Sequence, residues 1–231
     1  MTELSLANRH IVVTGGLGVL GRAVGAVLAE HGARVVLLDR APAHDVPGMA
    51  AVIGGVDLTD SDATRSAFDQ AGERLNGFDG LVNVAGGFRW ETLETGSLES
   101  WDALYAMNLR STVVACREAL PRLVKAGGSG IINVGALAAQ KAGAGMGAYA
   151  ASKAGVARLT EALAEELKDR GVRVNAVLPS ILDTPANRAD MPDADATRWV
   201  PPRSLAAVIA FLLSDDASAV TGACIPVAGR V

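Results

Sequence analysis

Tyr149 and Lys153 stand four residues apart in the segment AYAASKAGV. Four residues span about one helical turn, so a helix here puts the phenol and the ammonium on one face. A fixed cation beside a phenol favours phenolate and draws its pKa down from about 10. The pair therefore predicts a tyrosine that exchanges protons near neutral pH.

A second group of residues suits an anionic ligand. TGGLGVLG, residues 14–21, follows the apolar run HIVVTG and leads into a helical pattern. Gly15, Gly18 and Gly21 allow a tight turn and a close backbone approach, with Leu20 inside the same turn. The N-terminus of the following helix adds about half a positive charge, which suits a pyrophosphate. Asp39 ends the second apolar run, 18 positions after Gly21. A carboxylate there accepts hydrogen bonds from both hydroxyls of an adenosine ribose and repels a 2′-phosphate. NAD(H) is thus the expected cofactor, and the adjacent Arg40 keeps NADP(H) open. Asp57 and Leu58 close the third run; Asp57 is placed either to reach an adenine edge or to cap the next helix.

These residues need elements to hold them. Apolar runs at 10–15, 33–39, 50–57, 79–86, 129–135, 172–179 and 223–229 read as seven strands. Between them lie helical patterns: one ending at Gly32, one opening on a Ser61 cap, one long helix over 97–127, one over 148–171, and one over 202–216. Such alternation predicts an α/β fold of one domain over residues 1–231, a doubly wound parallel seven-stranded sheet with helices on both faces. The strands are continuous V/I/L runs, as in sheets buried on both sides. The loop-rich stretch 179–202 falls beyond the strand carboxyl ends and is expected to act as a substrate lid.

The chain has 231 residues, half of them hydrophobic and a fifth charged, with a formal net charge of −4. That balance is ordinary for a globular protein and argues against a nucleic-acid surface. The N-terminus has an acidic residue early and an apolar run too short for a signal peptide. No window approaches the roughly 18 apolar residues of a membrane span. Cys116 and Cys224 are far apart and read as free thiols of a cytoplasmic protein. His10, His31 and His44 show no metal spacing, and no metal is expected.

Five motifs in order, TGGLGVLG, NVAGG, MNL, YAASK and VLPSILDTP, make the chain resemble the short-chain dehydrogenase/reductase family over essentially its whole length. The resemblance implies NAD(P)-dependent hydride transfer, with Asn108, Tyr149 and Lys153 as catalytic residues. It also implies that Asn83, Ala85 and Gly86 line the cofactor and steady the central strands. Pro179, the backbone of Ile181 and the side chain of Thr184 would meet the nicotinamide end. The family's serine falls at Ala136, thirteen residues before Tyr149. The segments VGALAAQKAGAGMGAYAASKAGV and VLPSILDTPANRADMPDADATRW are similar to the dihydropteridine reductase branch, which also lacks that serine; the MNL setting of Asn108 is closer to the general family.

A serine hydroxyl steadies charge on a substrate oxygen, and loss of such a donor costs roughly 3–4 kcal/mol. Without it, a conjugated heteroaromatic such as quinonoid dihydropterin is the expected acceptor, because its charge spreads over ring nitrogens. The alternatives are a general hydroxy/keto oxidoreductase or a weakly catalytic dinucleotide-binding protein. Phe88, Trp90 and Trp199 are candidates to stack on a substrate ring, with Ala136, Met146 and Asn187 beside it. Each aromatic also has a plain reading as core packing. The small-residue stretch before Lys153 and the helix around 101–125 suggest a subunit interface, giving a homodimer or homotetramer.

Overall fold

The computed structural model describes residues 4–231; the acidic Glu3 cited for the N-terminus lies outside the described residues. Seven strands form one sheet: β1 (His10–Thr14), β2 (Arg34–Leu38), β3 (Ala51–Ile53), β4 (Gly80–Asn83), β5 (Ser129–Val134), β6 (Val172–Pro179) and β7 (Cys224–Val227). Their order is β3-β2-β1-β4-β5-β6-β7, and each neighbouring pair is parallel. The chain leaves β1 for β2 on one side, and β4 lies on the other. This is the switch point at which ligands bind outside the strand carboxyl ends.

Successive strand residues serve opposite faces. Val13, Leu37, Val82 and Ile132 pack with α1 (Val19–Glu30) and α7 (Pro202–Leu213). Val12, Val36, Leu81 and Ile131 pack with α2 (Ser61–Leu75), α4 (Ser111–Ala126) and α5 (Gly147–Leu167). Two covered faces explain why the strands read as unbroken apolar runs. The fold is the expected single-domain, doubly wound α/β sheet.

Local boundaries differ from expectation. The third strand ends at Ile53, so Asp57 lies beyond it and does not close it. The cap of α2 is Asp60, whose Oδ1 accepts the N–H groups of Asp62 and Ala63 at 2.8 and 3.0 Å; Ser61 is the first helical residue. The helix expected over 97–127 is two helices, α3 (Leu98–Leu104) and α4, joined by a π-helical turn at Tyr105–Arg110. Such a turn widens the helix by one residue and marks functional positions. The stretch after Thr184 contains a short helix, α6 (Pro185–Asp190). A parallel bridge from Leu182 to Val200 ties the returning segment to the loop after β6.

Among the described residues, no helix is long and apolar enough to cross a membrane, and no group of metal-ligating side chains converges. His10 and His31 contact the backbone carbonyls of Gly77 and Leu4, and His44 contacts Arg22. Both cysteines are free thiols.

Candidate active site

The turn after β1 is shaped by absent side chains. Gly15 has φ +62°, and a Cβ there would lie 2.8 Å from the backbone of Ala85. A Cβ on Gly21 would lie 2.1 Å from the Gly15 carbonyl oxygen, so the first turn of α1 nests directly into the loop. Gly18, the N-cap of α1, is different: its missing side chain faces open space, with nothing nearer than the Gly15 oxygen at 3.4 Å. No side chain caps this helix and its first turn carries no acid. Free amides, a positive helix end and open space fit a dinucleotide pyrophosphate.

Asp39 is built into this turn. Its Oδ2 accepts the Leu17 N–H at 2.8 Å and its Oδ1 accepts the Ala41 N–H at 2.9 Å. Each oxygen keeps a lone pair for a ribose hydroxyl. Asp57 accepts both the N–H and the O–H of Thr59, at 2.9 and 2.7 Å, which holds its carboxyl below the usual range. Asp57 therefore closes a turn and does not cap α2.

One cleft of about 1910 Å³ joins this turn to the Tyr149–Lys153 pair. A drug-sized ligand needs roughly 300–1,000 Å³, so a dinucleotide and a second molecule fit together. Gly15, Gly18, Leu20, Gly21, Asp39 and Arg40 line one end, followed by Asp57, Leu58, Ala85 and Gly86. Tyr149, Lys153, Pro179, Ile181 and Thr184 line the middle. Phe88, Trp90, Ala136, Met146 and Asn187 line the far end.

Three expected contacts to the cleft are absent. Asn83 is buried between strands, donating to Asn133 Oδ1 at 2.9 Å, and braces the sheet without lining the cleft. Trp199 is only 5% exposed and does not line the cleft; the bridge at Val200 draws it inward, so it is no substrate contact. Asn108, on the π-helical turn, is fully buried. Its Oδ1 accepts the Gly87 N–H at 2.8 Å, and its Nδ2 donates to the Gly87 carbonyl at 3.1 Å and to Ser152 Oγ at 2.9 Å. Asn108 is thus a positioning residue that clamps the loop after β4. Ser152 Oγ passes the contact on to the Tyr149 carbonyl at 2.7 Å.

The expected acidified phenol is also corrected. Burial pushes the Tyr149 phenol up to about 12. Lys153 Nζ donates to the Val134 carbonyl at 2.8 Å, and burial pulls its ammonium down to about 8. In the protein alone, desolvation outweighs any attraction between the pair. Tyr149 is a neutral proton donor at neutral pH, and Lys153 is charged.

Residues 18–229 match the family described as enoyl-(acyl carrier protein) reductase. The chain is 34% identical over 240 residues to the 2,5-dichloro-2,5-cyclohexadiene-1,4-diol dehydrogenase of Sphingobium indicum, covering 97% of this chain and 96% of that enzyme. It belongs to the short-chain dehydrogenase/reductase family. Among solved structures, the carveol dehydrogenase of Mycobacterium avium in complex with NAD is similar, with TM-score 0.87, 25% identity and 98% of each chain covered. A short-chain dehydrogenase from Burkholderia cenocepacia in complex with NADP has TM-score 0.86 and 32% identity, covering 97% of this chain and 98% of that one. The chain is an oxidoreductase.

This short-chain dehydrogenase/reductase also uses residues that sequence reasoning passed over. Gly87 is the partner of Asn108, and a Cβ on Gly86 would come 2.7 Å from Asn108 Oδ1 and 3.3 Å from Lys153 Nζ. Ser152 was hidden inside YAASK, although a hydroxyl three residues from the tyrosine is a visible signal. Gly145 sits in a small-residue stretch that reads as close helix packing. Gln140 and Lys141 also line the cleft.

Proposed function

We propose that this enzyme interconverts a secondary alcohol and its ketone, using a nicotinamide dinucleotide. The observation that carries this reading is the single cleft running from the open helix end at Gly18 to the Tyr149 phenol. Similar proteins named for cyclic alcohols, a cyclohexadienediol and carveol, support the substrate class. Similar structures hold NAD or NADP. Asp39 favours NAD(H), because a 2′-phosphate would meet its carboxylate.

The bound dinucleotide supplies or accepts the hydride. Tyr149 donates its phenol proton to the carbonyl oxygen in reduction and is reprotonated from solvent; in oxidation its phenolate, formed by loss of that proton to solvent, accepts the alcohol proton. Lys153 places a positive charge beneath the site, fixed through the Val134 carbonyl. Asn108 and Ser152 hold the backbone on either side of the phenol. Ala136 presents a methyl group, so Tyr149 donates to the substrate oxygen without help from a hydroxyl at that position.

That methyl group favours a second reading, a quinonoid dihydropterin, whose charge spreads over a ring and needs no alkoxide donor. The exposed apolar side chains Leu98, Trp101, Tyr105 and Val113, along α3, the π-helical turn and α4, support pairing of copies. The deciding experiment is oxidation of NADH and NADPH with cyclic and open-chain ketones beside quinonoid dihydropterin, with Tyr149→Phe as control. Turnover of ketones upholds the first reading; turnover of the dihydropterin alone replaces it with the second. Ala136→Ser should raise ketone turnover on the order of a hundredfold, and an unchanged rate would refute the role given to the methyl group.

A further inference from the structure

We propose that Trp90 is a fixed platform on which the substrate ring lies, seated there by Gly145, and that the pair selects ring-shaped apolar substrates. The proposal rests on the oxidoreductase reading and names its substrate class: a six-membered carbocycle bearing the reacting hydroxyl or carbonyl.

The carrying observation is where the indole sits. A Cβ built on Gly145 would stand 2.2 Å from Trp90 Cε2, 2.3 Å from Nε1 and 2.7 Å from Cδ2. The fused edge of the indole therefore occupies the space of the missing side chain and rests on the Gly145 backbone. Gly145 also has φ +73°, which L side chains rarely adopt. Next to Trp90, the Glu91 N–H donates to the Gly145 carbonyl at 2.9 Å, locking the two loops together. Arg89 Nη1 donates to Ser100 Oγ at 2.7 Å and so anchors the same loop on α3.

An indole held this way has one side against backbone. Yet Trp90 is 58% exposed and lines the cleft. An ordered, half-open aromatic surface inside a ligand cleft is a binding element, because its conformational entropy is already lost before the substrate arrives. Phe88 is similarly exposed, at 54%, but is seated on the catalytic phenol and not on backbone. Its ring meets the Tyr149 ring at 4.9 Å and 85°, edge to face, and so forms a wall of the phenol. Beside the platform, Ala136 and Met146 add apolar surface, which suits a carbocycle.

The test compares cyclohexanone with 2-butanone on wild type, Trp90→Ala, Trp90→Phe and Gly145→Ala, each saturated with dinucleotide. The ratio of kcat/KM, cyclic over open-chain, should fall about tenfold in Trp90→Ala and recover most of that in Trp90→Phe. Gly145→Ala, which displaces the indole, should lower the ratio as well. An unchanged ratio in Trp90→Ala overturns the platform. A fluorescence titration with cyclohexanol separates the two claims. A blue shift of tryptophan emission present in wild type and lost in Trp90→Ala upholds the platform even if neither ketone is reduced, in which case the alcohol–ketone reading alone fails. No shift in wild type overturns the platform.

Discussion

The two ends of the cleft are built by opposite means. At the dinucleotide end the structure is shaped by side chains that are missing: Gly15 against Ala85, Gly21 against the Gly15 carbonyl, and open space at Gly18. At the substrate end, large side chains fill the space that glycines leave. Trp90 covers Gly145, and Phe88 stands against Tyr149. A charged pyrophosphate is held by backbone amides, which demand a close approach and tolerate no added atom. A substrate is selected by side-chain shape, which can change without disturbing the backbone that holds the cofactor. Substitutions at the two ends should therefore separate dinucleotide binding from substrate choice.

The largest effect is expected between the two ends. Tyr149→Phe should lower kcat by roughly 10²–10⁴-fold, while calorimetry finds dinucleotide affinity within about threefold of wild type. A large loss of affinity would show that the phenol serves the cofactor end. Asn108→Ala comes next. It leaves the Gly87 N–H and carbonyl and the Ser152 hydroxyl without their buried partner, at about 2–4 kcal/mol. Urea denaturation should show that loss, and an unchanged midpoint would remove the clamp from the account.

Lys153 makes a pH prediction. Its folded pKa, about 8, lies below the ordinary 10.5, so burying the ammonium costs stability below about pH 8. That cost, about 3 kcal/mol at most, is relieved as pH rises from about 8 to 10.5. Tyr149 acts in the opposite sense at higher pH: its pKa is raised from 10 to about 12, so it contributes stability that is lost over that interval. Lys153→Met should therefore be more stable than wild type at pH 7, with the gap narrowing by pH 9.5. A gap that does not depend on pH would contradict the buried ammonium.

Gly21→Ala sharpens the comparison directly. Its methyl would meet the Gly15 carbonyl at 2.1 Å, and dinucleotide affinity should fall by about 1–3 kcal/mol with the preference among ketones unchanged. The smallest effect belongs to Asp39→Ala, which should raise NADPH use relative to NADH a few-fold. The same change frees two backbone amides. If affinity for both dinucleotides falls equally, the carboxylate only supports the turn.

Much of the site was readable because its signals are local. A glycine turn between strand and helix is contiguous, and Tyr149 and Lys153 share a helix face by spacing alone. The misses have a common cause. The reading of Trp199 overlooked the bridge between Leu182 and Val200, which joins positions 18 apart. The role of Asn108 depended on Gly87 and Ser152, on two other elements. The expected single helix over 97–127 also missed the π-helical turn, whose extra residue shifts the later apolar positions by about 100° around the axis.

From the chain of letters alone came the parallel sheet, the glycine turn after the first strand and the placement of Tyr149 and Lys153 on one helix. Those depend on strand and helix periods and on glycine, which act over a few residues. Packing alone decided that the phenol stays protonated, that Asn108 clamps a loop, and that an indole rests on Gly145. Desolvation and cross-loop contact are properties of what surrounds a residue, and the surroundings come from segments far away in the chain.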